Sequence, residues 1–153
     1  MASTKNLGIP KINGSDLISP TPINDAFDLL DKLGVDYITE SGKSGEWWYR
    51  KWNSGRAECG IDAKSFGDVD HKGAWGGMYA SSDMTFGAYP IQFSSRPFAV
   101  IAFLNTTDGS HASYVAQSSS NSTTVSPKFR LVDPNPRTAP GATFGIYVNG
   151  RYK

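Results

Sequence analysis

The chain has 153 residues, a formal net charge of +1, and 39% hydrophobic, 12% aromatic and 19% charged residues. Its length suits one domain with a core of its own. A charge this near balance argues against binding through the phosphate backbone of nucleic acid, which needs clustered Lys and Arg. No apolar run approaches the roughly 20 residues of a membrane helix, so no membrane insertion is expected. Ser, Thr, Asn and Gly make up 52 of the 153 residues, joined by 9 Pro, 8 Phe, 7 Tyr and 4 Trp. This mix favours strands and turns over long helices, and the expected class is mainly β.

Residues 1–21 carry Gly8, Pro10, Gly14 and Pro20 without a sustained period and read as an extended arm or linker. Met1 to Ile18 lacks the basic-then-apolar order of a secretory signal. A short helix is expected over 22–34, with Thr21 as N-cap, Pro22 at the first helical position and Gly34 as the stop. Ile23, Phe27, Leu30 and Leu33 form its apolar face. About three turns long, the helix is too short to stand alone. Its apolar face must pack either on the domain's own sheet or on the same helix in two other copies, which would make a homotrimer.

From residue 35 to 153 the pattern is a β-rich head. Val35 to Thr39 reads as a strand, Ser41 to Gly45 as a turn, and Trp47 to Trp52 with Arg56 to Ile61 as a hairpin around Asn53-Ser54-Gly55. Ala63 to Gly77 reads as loop-rich. Further strands are expected at Met78–Ser81, Met84–Phe86, Ile91–Ser94, Phe98–Asn105, Ser113–Gln117, Thr123–Val125, Phe129–Val132 and Thr143–Val148. Phe98 to Leu104 is apolar on both faces and predicts a central strand between two layers. Ser118–Thr124 and Pro134–Pro140 read as exposed loops. Many short strands about ten residues apart predict a β-sandwich or jelly-roll-like head.

Templates for chemistry mostly fail. Gly42-Lys43-Ser44 would end a phosphate-binding loop only if a glycine stood at position 37, which is Tyr37, and the turn leads into a strand instead of a helix. Cys59, His71 and His111 are too scattered for a zinc set, and no metal or other cofactor is expected. Asp68 and Asp70 lie on one side of an extended segment and can touch a cation, although a polar surface loop explains them better. No nucleophile–base pair is framed, so no catalytic residue is assigned. Glu40, Glu46 and Glu58 flank the tryptophan hairpin and read as edge charges sooner than as an acid pair. Cys59 reads as a small buried residue; being alone, it forms no internal disulfide. Three N-glycosylation patterns begin at Asn13, Asn105 and Asn121, and chance in a Ser/Thr-rich chain accounts for them.

The aromatics carry the strongest signal. In Glu46-Trp47-Trp48-Tyr49-Arg50-Lys51-Trp52, strand alternation puts Trp48, Arg50 and Trp52 on one face and Trp47, Tyr49 and Lys51 on the other. One face must be core. The other shows aromatics beside a cation, suited to a sugar ring or to a contact between subunits. Trp75, in Ala74-Trp75-Gly76-Gly77, has glycine neighbours that leave its ring room to stack, or it plugs the end of the fold. Trp48, Arg50, Trp52, Trp75 and Tyr79 are therefore the candidate ligand-binding residues, and Ile23, Phe27, Leu30 and Leu33 the candidate subunit interface.

Tyr37-Ile38-Thr39-Glu40-Ser41-Gly42-Lys43-Ser44-Gly45, then Trp47, Tyr49-Arg50-Lys51-Trp52 and Ala57-Glu58-Cys59, form a specific pattern. It resembles the C-terminal domain of minor structural and tail-fibre (receptor-binding) proteins of bacteriophages, where the stretch reads like Y-I-V-E-x-G-T-S-G-x-W-x-Y-R-K-W-x-x-G-x-A-E-C-W. The closing Gly150-Arg151-Tyr152-Lys153 is similar to the family's terminal G-R-W-K, which implies that the chain ends where the viral protein ends. Two positions depart from the pattern: Trp48 stands where the family often has a small polar residue, and Gly60 where it often has Trp.

The resemblance implies a virion appendage tip, commonly trimeric, that meets the host surface. The expected function is a non-enzymatic tail- or neck-fibre head, located in the virion beside other virion proteins and binding a host cell-surface glycan. Two alternatives stay open. One is a purely structural trimerisation or capping domain; the other, less favoured, is a glycan depolymerase with a site built between chains.

Overall fold

The computed structural model describes residues 24, 25, 28, 34, 36–104 and 113–153. Asn24, Asp25 and Asp28 are helical, and Gly34 has a φ of 65°. The arm and the apolar residues Ile23, Phe27, Leu30 and Leu33 lie outside the described residues, as does His111.

The described chain is mainly β. In order it forms β1 (Ile38–Ser44), β2 (Trp47–Trp52), β3 (Arg56–Ser65), β4 (Val69–His71), β5 (Gly73–Trp75), β6 (Met78–Ala80), β7 (Met84–Thr85), β8 (Phe98–Phe103), β9 (Tyr114–Gln117), β10 (Lys128–Asp133), β11 (Arg137–Ala139) and β12 (Thr143–Arg151). All pairings between these strands are antiparallel. One sheet runs β1-β2-β3-β12-β8, a second runs β5-β6-β10-β7 with β9 also beside β10, and β11 pairs with β4.

Cross-strand register explains which side chains are inside. Tyr49, Cys59, Val148 and Ala99 are successive partners across the first sheet, as are Ile61, Ile146 and Ile101. Partners share a face, so these form its apolar side. That side meets Phe129 and Leu131 of β10, both fully buried. Aromatic edges join the two sheets: Phe129 and Phe144 lie 5.1 Å apart, and Phe66 meets Phe86, Phe129 and Phe144 at 5.5–5.6 Å. Such pairs each add about 0.5–1.5 kcal/mol to the burial itself. Cys59 sits within this core, where burial, aided by the neighbouring Glu58 charge, pushes its thiol pKa up to about 12.

Several sequence expectations are corrected. The segment Ser41 to Ser44, expected as turn, belongs to β1, with Lys43 opposite Trp48 and Ser44 opposite Trp47. The turn is the tighter Gly45-Glu46, where Gly45 supplies the positive φ of 60° that a two-residue hairpin needs. Gly42 is glycine for another reason: a Cβ there would lie 3.0 Å from the Tyr49 hydroxyl. Part of the expected loop at Ala63–Gly77 is strand, because β3 continues to Ser65 and β4 and β5 follow. β11 likewise occupies part of the expected Pro134–Pro140 loop.

Ile91–Ser94 and Thr123–Val125 are not ladder strands. Ile91 and Phe93 are buried as alternation predicts, but the Phe93 N–H donates to the Thr123 carbonyl and the Ser94 N–H to that of Arg151. Val125 makes only an isolated bridge to Ala88. The largest correction concerns β8. It is an edge strand and not a central one, with Phe98 and Val100 exposed on its outer face.

Candidate functional site

Alternation in β2 places the two aromatic triplets on opposite faces. Trp47 is 7% exposed and edges onto Tyr89 at 5.6 Å, and Tyr49 packs on the same core. Lys51 shares that face at the sheet margin, bonded to Glu40 at 2.8 Å and set against the Tyr49 and Tyr152 rings. Trp48, Arg50 and Trp52 point to the outer face.

There Trp48 lies over Gly60, its cross-strand partner, whose missing side chain leaves room for the indole: a Cβ would fall 2.7 Å from the ring. The indole N–H donates to Asp62 at 2.9 Å, and Tyr147 lies beside the ring at 6.2 Å. Arg50 stands over Trp48 and Arg56 over Trp52, at 5.7 and 4.9 Å. The largely buried Glu58 ties this face together. It accepts the Tyr147 hydroxyl at 2.6 Å and pairs with Arg50 at 3.4 Å and Arg56 at 3.7 Å. Asn149 donates to Tyr147 at 3.2 Å. The result is a flat aromatic surface with fixed polar groups, continued by exposed Phe98 and Val100 on the β8 side.

Trp75 and Tyr79 belong to the second sheet and do not join this surface. In the β5–β6 hairpin Trp75 pairs with Met78, and Tyr79 with Ala74 and Asp133. Trp75 therefore shares a face with Gly73, Ala80 and Arg130, whereas Tyr79 points to the opposite side. Trp75 is 42% exposed, too open to plug the fold. Its ring lies 5.8 Å from the Arg130 guanidinium, whose Nε donates to Asp83 at 2.6 Å. The Arg130 bond, with a further one from Ser118, holds the Asp83 carboxyl below its ordinary pKa.

Arg130 borders an open cleft of about 400 Å³, also lined by Asp70, Lys72, Gly73, Ala80 and Ser82. A smaller hollow of about 230 Å³ adjoins it, sharing Asp70 and Ser82 and bounded by Phe66 and Met84. Asp68 and Asp70 serve local structure here. Asp68 accepts the Gly141 N–H at 2.9 Å, and Asp70 is bonded by Thr138 and by Lys72 at 3.0 Å. Among the described residues no three His, Cys, Asp or Glu side chains are gathered to hold a metal. Glu40 and Glu46 are paired with Lys51 and Lys64.

Behind the cleft, His71 and Asp133 are fully buried, 3.8 Å apart. Burial alone would raise the Asp133 pKa, but the Asn135 N–H, the Ser113 hydroxyl and Arg137 outweigh it and hold the carboxylate below its usual range. His71 turns towards the Val69 backbone, which favours its charged form, but neither ring nitrogen makes a hydrogen bond of good geometry among the described residues.

Comparison with family models, curated proteins and solved structures finds no match. Sequence reasoning missed Arg130, Asp83 and Tyr147. Arg130 sits in Lys128-Phe129-Arg130-Leu131, where alternation marks only an outward charge. No local signal ties it to Trp75 or to Asp83, 47 residues away. The glycosylation pattern at Asn121 falls on a buried amide that donates to the Pro97 carbonyl at 2.8 Å.

Proposed function

We propose that this chain is the head of a virion appendage, a tail or neck fibre, which binds a host cell-surface carbohydrate without acting on it chemically. On this reading the sheets form a β-sandwich, the head is displayed as a homotrimer among other virion proteins, and threefold avidity multiplies a weak glycan affinity. The observation that carries it is Trp75: an exposed indole beside the Arg130–Asp83 pair at the border of a polar cleft of about 400 Å³. An aromatic face for the apolar side of a sugar ring, with fixed donors and acceptors for its hydroxyls, is what saccharide recognition requires.

The two departures from the phage-fibre pattern meet each other in the fold. Trp48 and Gly60, the two positions that differ from the family pattern, are direct cross-strand partners, and the Trp48 ring fills the space above Gly60. Gly60 is held small from two sides, by the Trp48 ring and by the Ile146 carbonyl, 2.6 Å from where a Cβ would stand.

Trp75→Ala should abolish adsorption to host cells while leaving the melting temperature within about 2 °C, as for a surface substitution. Adsorption and stability lost together would place Trp75 in the structural framework and overturn the reading. A second reading, a purely structural capping domain, draws on exposed Phe98, Val100 and Tyr147 along the first sheet's outer face. It predicts that Trp75→Ala changes nothing in adsorption.

A further inference from the structure

We infer that the cleft beside Trp75 selects an acidic sugar, one bearing a carboxylate or a phosphate, an inference that rests on the glycan reading above. The warrant is a surplus of fixed donors. Arg130 commits only Nε, to Asp83 at 2.6 Å, and both its Nη groups have no hydrogen-bond partner among the described residues. The bond to Asp83 and the Trp75 ring at 5.8 Å hold the guanidinium plane from two sides. What is left free is a fork of parallel N–H groups, which matches two anionic oxygens better than one hydroxyl. Across the cleft Lys72 gives one bond to Asp70 at 3.0 Å and retains two of its three donors.

One carboxylate, Asp70, lines the cleft beside two cations, Lys72 and Arg130, and its Oδ1 already takes two bonds. Asp83 takes Arg130, and Asp70 takes both Lys72 and Thr138. A neutral sugar hydroxyl brings a proton as well as lone pairs, whereas a carboxylate or phosphate brings acceptors only. The cleft offers donors in excess, so the anionic group fits it. The small lining residues Gly73, Ala80 and Ser82 leave space for the ring that carries it.

The test is calorimetric titration of the whole chain with a glucuronate-containing tetrasaccharide, with glucose 1-phosphate and with neutral chitotetraose. At least one acidic probe should bind about tenfold or more tighter than the neutral one, and the advantage should shrink as salt rises. Whether the uronate or the phosphate gains more identifies the anion. Arg130→Gln should erase the preference and Arg130→Lys keep part of it, with melting temperatures confirming that both variants fold. Equal binding of all three probes, still sensitive to Trp75→Ala, would overturn the acidic preference and leave the glycan reading standing. A preference that survives in Arg130→Gln would equally overturn it. Failure of all three to bind would overturn it too, while Trp75-dependent cell adsorption would still uphold the broader reading.

Discussion

His71 illustrates how one side chain sets a pH limit on the fold. Burial lowers its pKa, Asp133 at 3.8 Å pulls the value back up, and Arg137 lowers it again, for a net decrease. Below the ordinary imidazole pKa of about 6.5 the unfolded chain binds a proton that the folded chain refuses. Stability is therefore fully present above that pH and is lost progressively as pH falls towards the folded value. His71→Leu removes the titrating group. Its melting temperature should fall less between pH 7.5 and pH 5 than that of the parent chain. An equal fall in both proteins would assign the acid sensitivity elsewhere. At the same scale, Trp48 and Gly60 act as a pair, since the glycine leaves the volume that the indole fills.

Among the elements, β8 departs most from its sequence. Phe98-Ala99-Val100-Ile101-Ala102-Phe103 is apolar at every position, the mark of a strand covered on both faces. In the chain by itself Ala99, Ile101 and Phe103 pack on the core, whereas Phe98 is 68% exposed and Val100 45%. The two faces should respond differently to substitution. Ile101→Ala should cost about 2 kcal/mol or more in denaturant unfolding. Val100→Lys should cost no more than about 0.5 kcal/mol in the isolated head, as at an open surface site. A large loss from Val100→Lys, dependent on protein concentration, would show that a second molecule covers this face. Open apolar edges of this kind are the ones proteins usually protect.

For the whole molecule the decisive quantity is its mass in solution. The trimer reading predicts about three times 16.6 kDa by light scattering after size exclusion, unchanged between two well-separated concentrations. Replacing Phe27 and Leu30 with Asp should dissociate or unfold that assembly. A clean monomer would mean that the helix expected over 22–34 packs on its own sheet. Glycan binding at the Trp75 cleft is tested separately, by the titrations and by Trp75→Ala.

What the sequence determined by itself is what depends on local period. Two-residue alternation put Trp47 and Tyr49 on one face of β2 and Trp48, Arg50 and Trp52 on the other, and the abundance of strand and turn formers set the mainly β class. Tertiary structure decided the rest. Sheet order made β8 an edge, and pairing of β6 with β10 brought Trp75 to Arg130 and closed the cleft between residues far apart in the chain. It also set Tyr79 on the face opposite Trp75 and buried His71 against Asp133. A period is written in neighbouring residues, whereas register and sheet order are settled only when distant strands compete for the same hydrogen bonds and the same core.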